Sequence, residues 1–340
     1  MMIDGERRAA LLGAKLGALV ASAHGPSDGR RAAPFAAGAG LVEDGPGGVV
    51  GWALGDASPA RTLGPAVLWA RRQRVERLHL LVDDGDVAGL LARRAPLFAV
   101  APTVWRVEGR ALVEVAATDH VVEPPIDPRL VDASSMLVAA GCDRVIEHGR
   151  VVGEVAGLEV ARVTVGEDGE PRVEVGVGRF DREAHDMISG GDIDAERLAA
   201  VVRLVAEHRR EGAPPHPLNA LVPERALRAR VVADPRLVGA GRLVPVPPVV
   251  EAPDLRTATP APAVGEDPDG SPVVVVCSTG IDLDLVPTAA DTRLRDGRQA
   301  RLVLAVPARD AHPATVELAA ALADPAEVVG IAPPEGDTSG

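Results

Sequence analysis

The sequence is poor in aromatics, lysine, cysteine and long apolar runs, and each shortage narrows what the chain can be. Aromatic residues make up 2% of the 340 residues, with no Tyr. Lys15 is the sole lysine, so arginine carries nearly all the positive charge. Together with 36 Gly and 30 Pro, that bias reads as the coding habit of a high-GC bacterial genome rather than an adaptation to one chemistry. The two cysteines, Cys142 and Cys277, lie far apart, which argues against a disulfide framework; both read as small buried hydrophobes in a reduced, cytoplasmic compartment. The apolar run 9–23 is interrupted by Lys15 and is shorter than the roughly 20 residues a spanning helix needs. It reads as a helix packed on protein, started by Glu6-Arg7-Arg8 and stopped by His24-Gly25-Pro26, with no membrane contact expected. The small residues Ala21-Ser22-Ala23 mimic a cleavage site and keep a signal peptide as the alternative. Basic charge is also short. With 36 Lys and Arg against 49 Asp and Glu, the net charge of −13 repels polyanions, and nucleic-acid binding would need a local Arg patch.

What is present is apolar: 46% of a chain long enough for two domains, which argues against disorder throughout. After the helix of residues 1–24, the Gly/Pro/Ala-rich stretch 25–47 reads as a loop. Residues 48–122 alternate strands at 48–54 and 78–82 with helices at 63–74 and 87–98, then a hairpin around Glu108-Gly109-Arg110. Residues 123–243 predict an α+β unit: a helix at 130–140 stopped by Gly141, strands near 145, 151–155, 158–165 and 172–177, and helices at 182–188 and 194–210. The turn Glu167-Asp168-Gly169 joins the last two of those strands. Prolines recur through 244–271 without an apolar period, as in an interdomain linker. Residues 272–332 read as strand, helix, strand, helix, strand, opened by the β-branched run 273–277 that suits a parallel strand buried on both faces. The expected class is therefore α/β, with mixed sheets flanked by helices and a C-terminal β-α-β-α-β unit with parallel strands.

Chemistry is harder to find. No phosphate loop or dinucleotide fingerprint follows a strand; Gly38-Ala39-Gly40 precedes one. The eight histidines do not cluster and neither cysteine has a partner two residues away, so a structural zinc site is not expected. His79 in a strand and His208 near a helix end read as core or dipole residues. Asp310 and His312 could form a small polar site beyond the strand tip at Pro307, with capping of the last helix by Asp310 as the plainer role. The pair Asp282-Leu283-Asp284 could hold Mg²⁺ or Mn²⁺ through carboxylate oxygens, or cap the helix that follows. The loop Ser278-Thr279-Gly280 could supply a nucleophile or an anion nest. Arg71, Arg72, Arg74, Arg93 and Arg94, with Trp69 and Trp105, could meet bases, or simply cover a core.

The segment 157–163, a short turn, Arg172 to Val177 and the helix from Arg182 resemble the core of the PD-(D/E)XK nucleases. The resemblance implies a metal held by an acid on one strand and a Glu-x-Lys on the next. Glu174 stands at the Glu position, Glu159 or Ala161 near the first acid, and Gly176 where the lysine belongs. Residues 273–331 look like the latter half of that fold, on a strand that carries no acid. A degenerate, non-cleaving relative is what this resemblance implies. Two functions are therefore expected. The first is a non-catalytic α/β interaction module, with a protein partner favoured over nucleic acid. The second is a metal-dependent hydrolase or phosphodiesterase using Glu159, Glu174 or the Asp282/Asp284 pair, which requires two of these carboxyl groups to converge.

Overall fold

The computed structural model describes residues 2–33, 37–55, 58–177, 195–210, 212–252 and 254–333, with side chains from residue 6 onward. The chain divides into two compact units, one of residues 1–120, 281–295 and 311–328, the other of residues 121–280, 296–310 and 329 onward. Its class is α/β, with three sheets flanked by helices.

In the first unit α1 (Met2–His24) lies on a six-stranded sheet of β1 (Arg30–Ala32), β2 (Gly38–Gly45), β3 (Gly48–Gly55), β4 (Arg77–Val82), β5 (Thr103–Glu108) and β6 (Ala111–Glu114), in that spatial order. β3, β4 and β5 are parallel, joined through α2 (Leu63–Arg72) and α3 (Gly85–Arg94); the outer strands are antiparallel. Period-2 alternation sends Leu41, Trp52, Leu54 and Leu81 toward Leu16, Leu19 and Val20 of α1. The stretch 25–47, expected as a loop, contains β1 and β2. Glycines at both ends and in the body of β2 hide it from pattern reading. Gly40 has a packing role, because a Cβ there would run into the Trp69 ring and the Ala33 carbonyl.

The second unit holds two sheets. Helices α4 (Pro128–Ala133) and α5 (Ser135–Ala139), where one helix was expected, precede a four-stranded antiparallel meander of β7 (Asp143–Glu147), β8 (Arg150–Val155), β9 (Leu158–Val165) and β10 (Pro171–Val175). The expected Gly169 turn is present, with φ +79 at the glycine. One face of the meander packs on α4, α5 and α6 (Ala195–Arg209) through Leu130, Leu137, Val151, Val163, Val173, Leu198 and Val202. The helix expected at 182–188 lies outside the described residues.

The next helix, α7 (Pro223–Ala233), escaped the sequence reading. Its buried face mixes Leu227 and Val231 with Glu224 and Arg228, which breaks the apolar stripe that marks a core helix. It packs on a five-stranded sheet ordered β11 (Arg242–Pro245), β12 (Ala261–Glu266), β13 (Pro272–Cys277), β14 (Arg301–Pro307) and β15 (Glu327–Ile331). In chain order α8 (Leu285–Asp296) and α9 (Pro313–Ala319), which fall almost wholly in the first unit, alternate with β13, β14 and β15 in the expected β-α-β-α-β order, with β13 and β14 parallel. The sheet begins earlier than expected. The stretch 244–271, read as a linker, contains β12, an interior strand paired antiparallel to β13 and masked by its own Pro262 and the prolines before it.

One turn sets how closely α7 approaches the meander. Ala156 and Gly157, with φ +46 and +78, join β8 to β9, and a Cβ on Gly157 would overlap the Arg225 carbonyl. Gly157→Ala therefore combines backbone strain with a backbone clash, and should cost about 2 kcal/mol or more of stability, read as a lowered urea midpoint at unchanged m-value.

Candidate functional site

A buried charge needs an opposite charge or a full set of hydrogen bonds, so the buried carboxylates mark where any chemistry must be sought. In the first unit they gather at the start of α8. Asp282 accepts the Asp284 backbone N–H (3.0 Å) on Oδ1 and pairs through Oδ2 with Arg61 (2.6 Å). Asp284 pairs through Oδ2 with Arg94 (3.3 Å), and the Thr288 hydroxyl donates to the same oxygen. Its Oδ1 is buried without a hydrogen-bond partner. Burial pushes the Asp284 carboxyl up to about 7, against the charge of Arg94 and with that of Asp282. Asp291, wholly buried, takes two bonds from Arg93 (2.9 and 3.0 Å), one from Arg94 (3.0 Å) and a contact from His120 Nε2 (2.8 Å). Burial pushes it up as well, but the Arg93 hydrogen bonds and the two guanidinium charges outweigh that and hold it below the ordinary carboxylate range.

Asp310 and His312 take different partners. His312 Nδ1 accepts the Ala314 N–H (3.1 Å) and caps α9, the role expected of Asp310. Asp310 instead accepts the Gly280 N–H (2.8 Å), so in the second unit the Ser278-Thr279-Gly280 loop already holds a carboxylate from its own chain. Ser278 is buried and donates its N–H to the Ala305 carbonyl (3.1 Å); the Thr279 hydroxyl donates to buried Glu224 (2.7 Å).

The meander face opposite α6 carries the other candidates. Glu174 stands beside Arg162 in the β10–β9 register and accepts the Thr164 hydroxyl (3.0 Å). Strict alternation would send Glu159 to the other face from Arg162, three positions away. A bulge, in which Gly153 faces Ala161 yet Glu154 faces Glu159, resets the alternation, and Arg162 reaches Glu159 at 2.7 and 2.8 Å. Glu159, Arg162 and Glu174 thus share one face.

On that same face lies a network no sequence pattern announced. Arg228 grips Glu154 through both carboxylate oxygens (2.9 and 2.8 Å), and Arg225 bridges Glu154 (2.8 Å) and Glu147 (2.6 Å). Arg228 and Glu154 are 1% and 3% exposed, and Arg228 Nε and Nη1 lack partners. The partners are more than 70 residues apart in sequence, so local spacing carries no trace of the pairing.

The remaining candidates are packing groups. Burial pushes the thiols of Cys142 and Cys277 up to about 11 and about 12, leaving both protonated and unreactive. His79 accepts the Trp105 indole N–H on Nδ1 (3.0 Å) and stacks on Trp52, and burial pushes it down to about 4, which makes it a neutral core histidine. His208 stacks on His216 at 3.8 Å. Among the described residues no three His, Cys, Asp or Glu side chains are grouped to hold a metal ion, and no helix is long and apolar enough to cross a membrane. No protein-family model, curated protein or solved structure matches the chain.

Two outcomes follow from this geometry. Asp284 titrates near 3.8 when unfolded and near 7 in the fold, so the stability its proton supplies is complete below the first value and lost as pH rises through the second. Asp284→Asn removes that dependence: its stability relative to the parent should rise between about pH 4 and 8 by an amount of order 1–3 kcal/mol, followed by urea unfolding. Glu154→Ala, which strands the buried Arg228 guanidinium and leaves Arg225 with Glu147 alone, should cost about 3–5 kcal/mol, and Glu154→Leu combined with Arg228→Met should recover most of it.

Proposed function

We propose that this chain is a non-catalytic α/β interaction module whose partner is another protein, with its buried carboxylates acting as structural ion-pair partners. One observation carries this: Glu159, Asp282 and Asp284 each pair with an arginine at 2.6–3.3 Å. A divalent cation bound there would sit beside a fixed guanidinium, and in a partly buried site that repulsion outweighs what one or two carboxylates return. The resemblance to the PD-(D/E)XK core fits a degenerate relative, since Gly176 stands where the metal-site lysine belongs. The net charge of −13 favours a protein over a nucleic acid as partner. Two protonated, buried thiols are compatible with a cytoplasmic setting.

A second reading, a metal-dependent phosphodiesterase, has one observation in its favour: the bulge that aligns Glu159 with Glu174 on one face. Titration calorimetry with Mg²⁺ and Mn²⁺, alongside a hydrolysis assay on bis(p-nitrophenyl) phosphate, separates the two. The module gives no site-specific heat and no turnover. Metal-dependent hydrolysis that disappears in Glu174→Gln would replace it with the enzyme.

A further inference from the structure

In the first unit, α2 ends in a basic run that the buried ion pairs leave untouched. Residues 71–77 carry Arg71, Arg72, Arg74 and Arg77 against one acid, Glu76, and all five are exposed. Arg31 on β1 adds a fifth guanidinium, which donates to Gln73 (3.3 Å). Arg72 pairs with Glu317 (3.2 Å) and Arg77 donates to the Gly47 carbonyl (3.2 Å), while the side chains of Arg71 and Arg74 have no partner among the described residues. Arg74 stands there against the backbone's preference. Its N–H bonds to the Arg71 carbonyl and that of Val75 to the Ala70 carbonyl, a Schellman closure whose left-handed position normally goes to glycine; Arg74 holds it with φ +58. The helix terminus itself, worth about half a negative charge, needs one cation and not four. Beside Arg71 opens an apolar cavity of about 30 Å³, walled by Val67, Ala70, Val75, Leu78 and Val100, of which Val100 is 49% exposed.

From this patch we infer a docking surface for an acidic segment of a partner protein that carries an aliphatic side chain among its carboxylates. The inference rests on the interaction-module reading and adds a surface and a partner chemistry to it. The two exposed guanidinium groups without partners offer paired N–H donors to carboxylates, and the cavity beside Arg71 takes the end of one aliphatic side chain. An arginine held where glycine would be more stable serves contact rather than folding. Salt at physiological strength screens exposed charges beyond about 8 Å, so a short segment meets this patch rather than the −13 of the whole chain. A nucleic acid fits less well. Its evenly charged backbone runs on past the patch over an acidic chain, and a cavity of about 30 Å³ admits no base.

The probes are a short labelled peptide of Glu and Asp with a central Val, the same peptide with Ser in place of Val, and a single-stranded oligo-dT of equal charge, each titrated into the full chain by fluorescence anisotropy. The Val peptide should bind most tightly, weaken as salt is raised, and slow hydrogen exchange at residues 70–78 and 98–100. Arg71→Gln and Arg74→Gly should each weaken it about fivefold. Arg74→Gly should at the same time raise the urea midpoint, because glycine takes the left-handed position without strain, and this separates lost contact from lost folding. No binding of the Val peptide, equal binding of the Val and Ser peptides, unchanged affinity in both variants, or a lowered urea midpoint in Arg74→Gly overturns the surface. Tighter binding of oligo-dT would make nucleic acid the occupant and would also overturn it, whereas the metal titration and the hydrolysis assay judge the module independently.

Discussion

The second unit depends on a closed set of buried charges that ties one helix to the meander. α7 lies between the meander and the five-stranded sheet, offering Leu227 and Val231 to one and Arg225 and Arg228 to the other. A helix that must satisfy two sheets cannot keep one apolar stripe, so its second contact is electrostatic. Glu147 and Glu154 match the two guanidinium groups in number, leaving no net buried charge. Arginine suits this role because it stays charged when desolvated, and here a single nitrogen, Nη2 of Arg228, reaches both oxygens of Glu154. The same solution recurs in the first unit, where Asp291 sits between Arg93, Arg94 and His120.

Such pairs specify geometry more than they stabilise it. Desolvating four charges consumes most of the Coulomb attraction they return, and Arg228 still leaves two N–H groups unpartnered. The remaining stability comes from the apolar faces: Val275 and Val303 against Leu227 and Val231, and Leu137, Val163 and Leu198 across the meander. The ion pairs decide where those faces meet. The Gly157 turn, pressed against the α7 backbone, leaves that approach little slack.

How much of this was legible depends on the distance over which each signal acts. The β-branched run of β13 and the parallel core of β3 to β5 follow from local pattern, and the structure places strands there. β2 and β12 are strands only because neighbours pair with them; their own glycines and prolines argue otherwise. α7 was missed because its buried Glu224 and Arg228 look like surface residues until their partners are known. Among candidate residues, the turn at Asp282 and Asp284 was foreseeable as a helix start, whereas the capping expected of Asp310 falls to His312, and Asp310 accepts the Gly280 N–H instead. Alternation left Glu159 and Glu174 unresolved, since the bulge beside Glu154 depends on pairing rather than composition.

The pairing habit also shapes the exterior. Each buried pair removes one positive and one negative group from contact with water, so the chain's charge is expressed over fewer exposed residues. Among the described residues the buried charged side chains are three arginines, Arg94, Arg228 and Arg293, and six acids, Glu147, Glu154, Glu159, Glu224, Asp284 and Asp291, so the surface is slightly less acidic than the composition suggests. The net charge of −13 is what supports the proposed protein partner over nucleic acid.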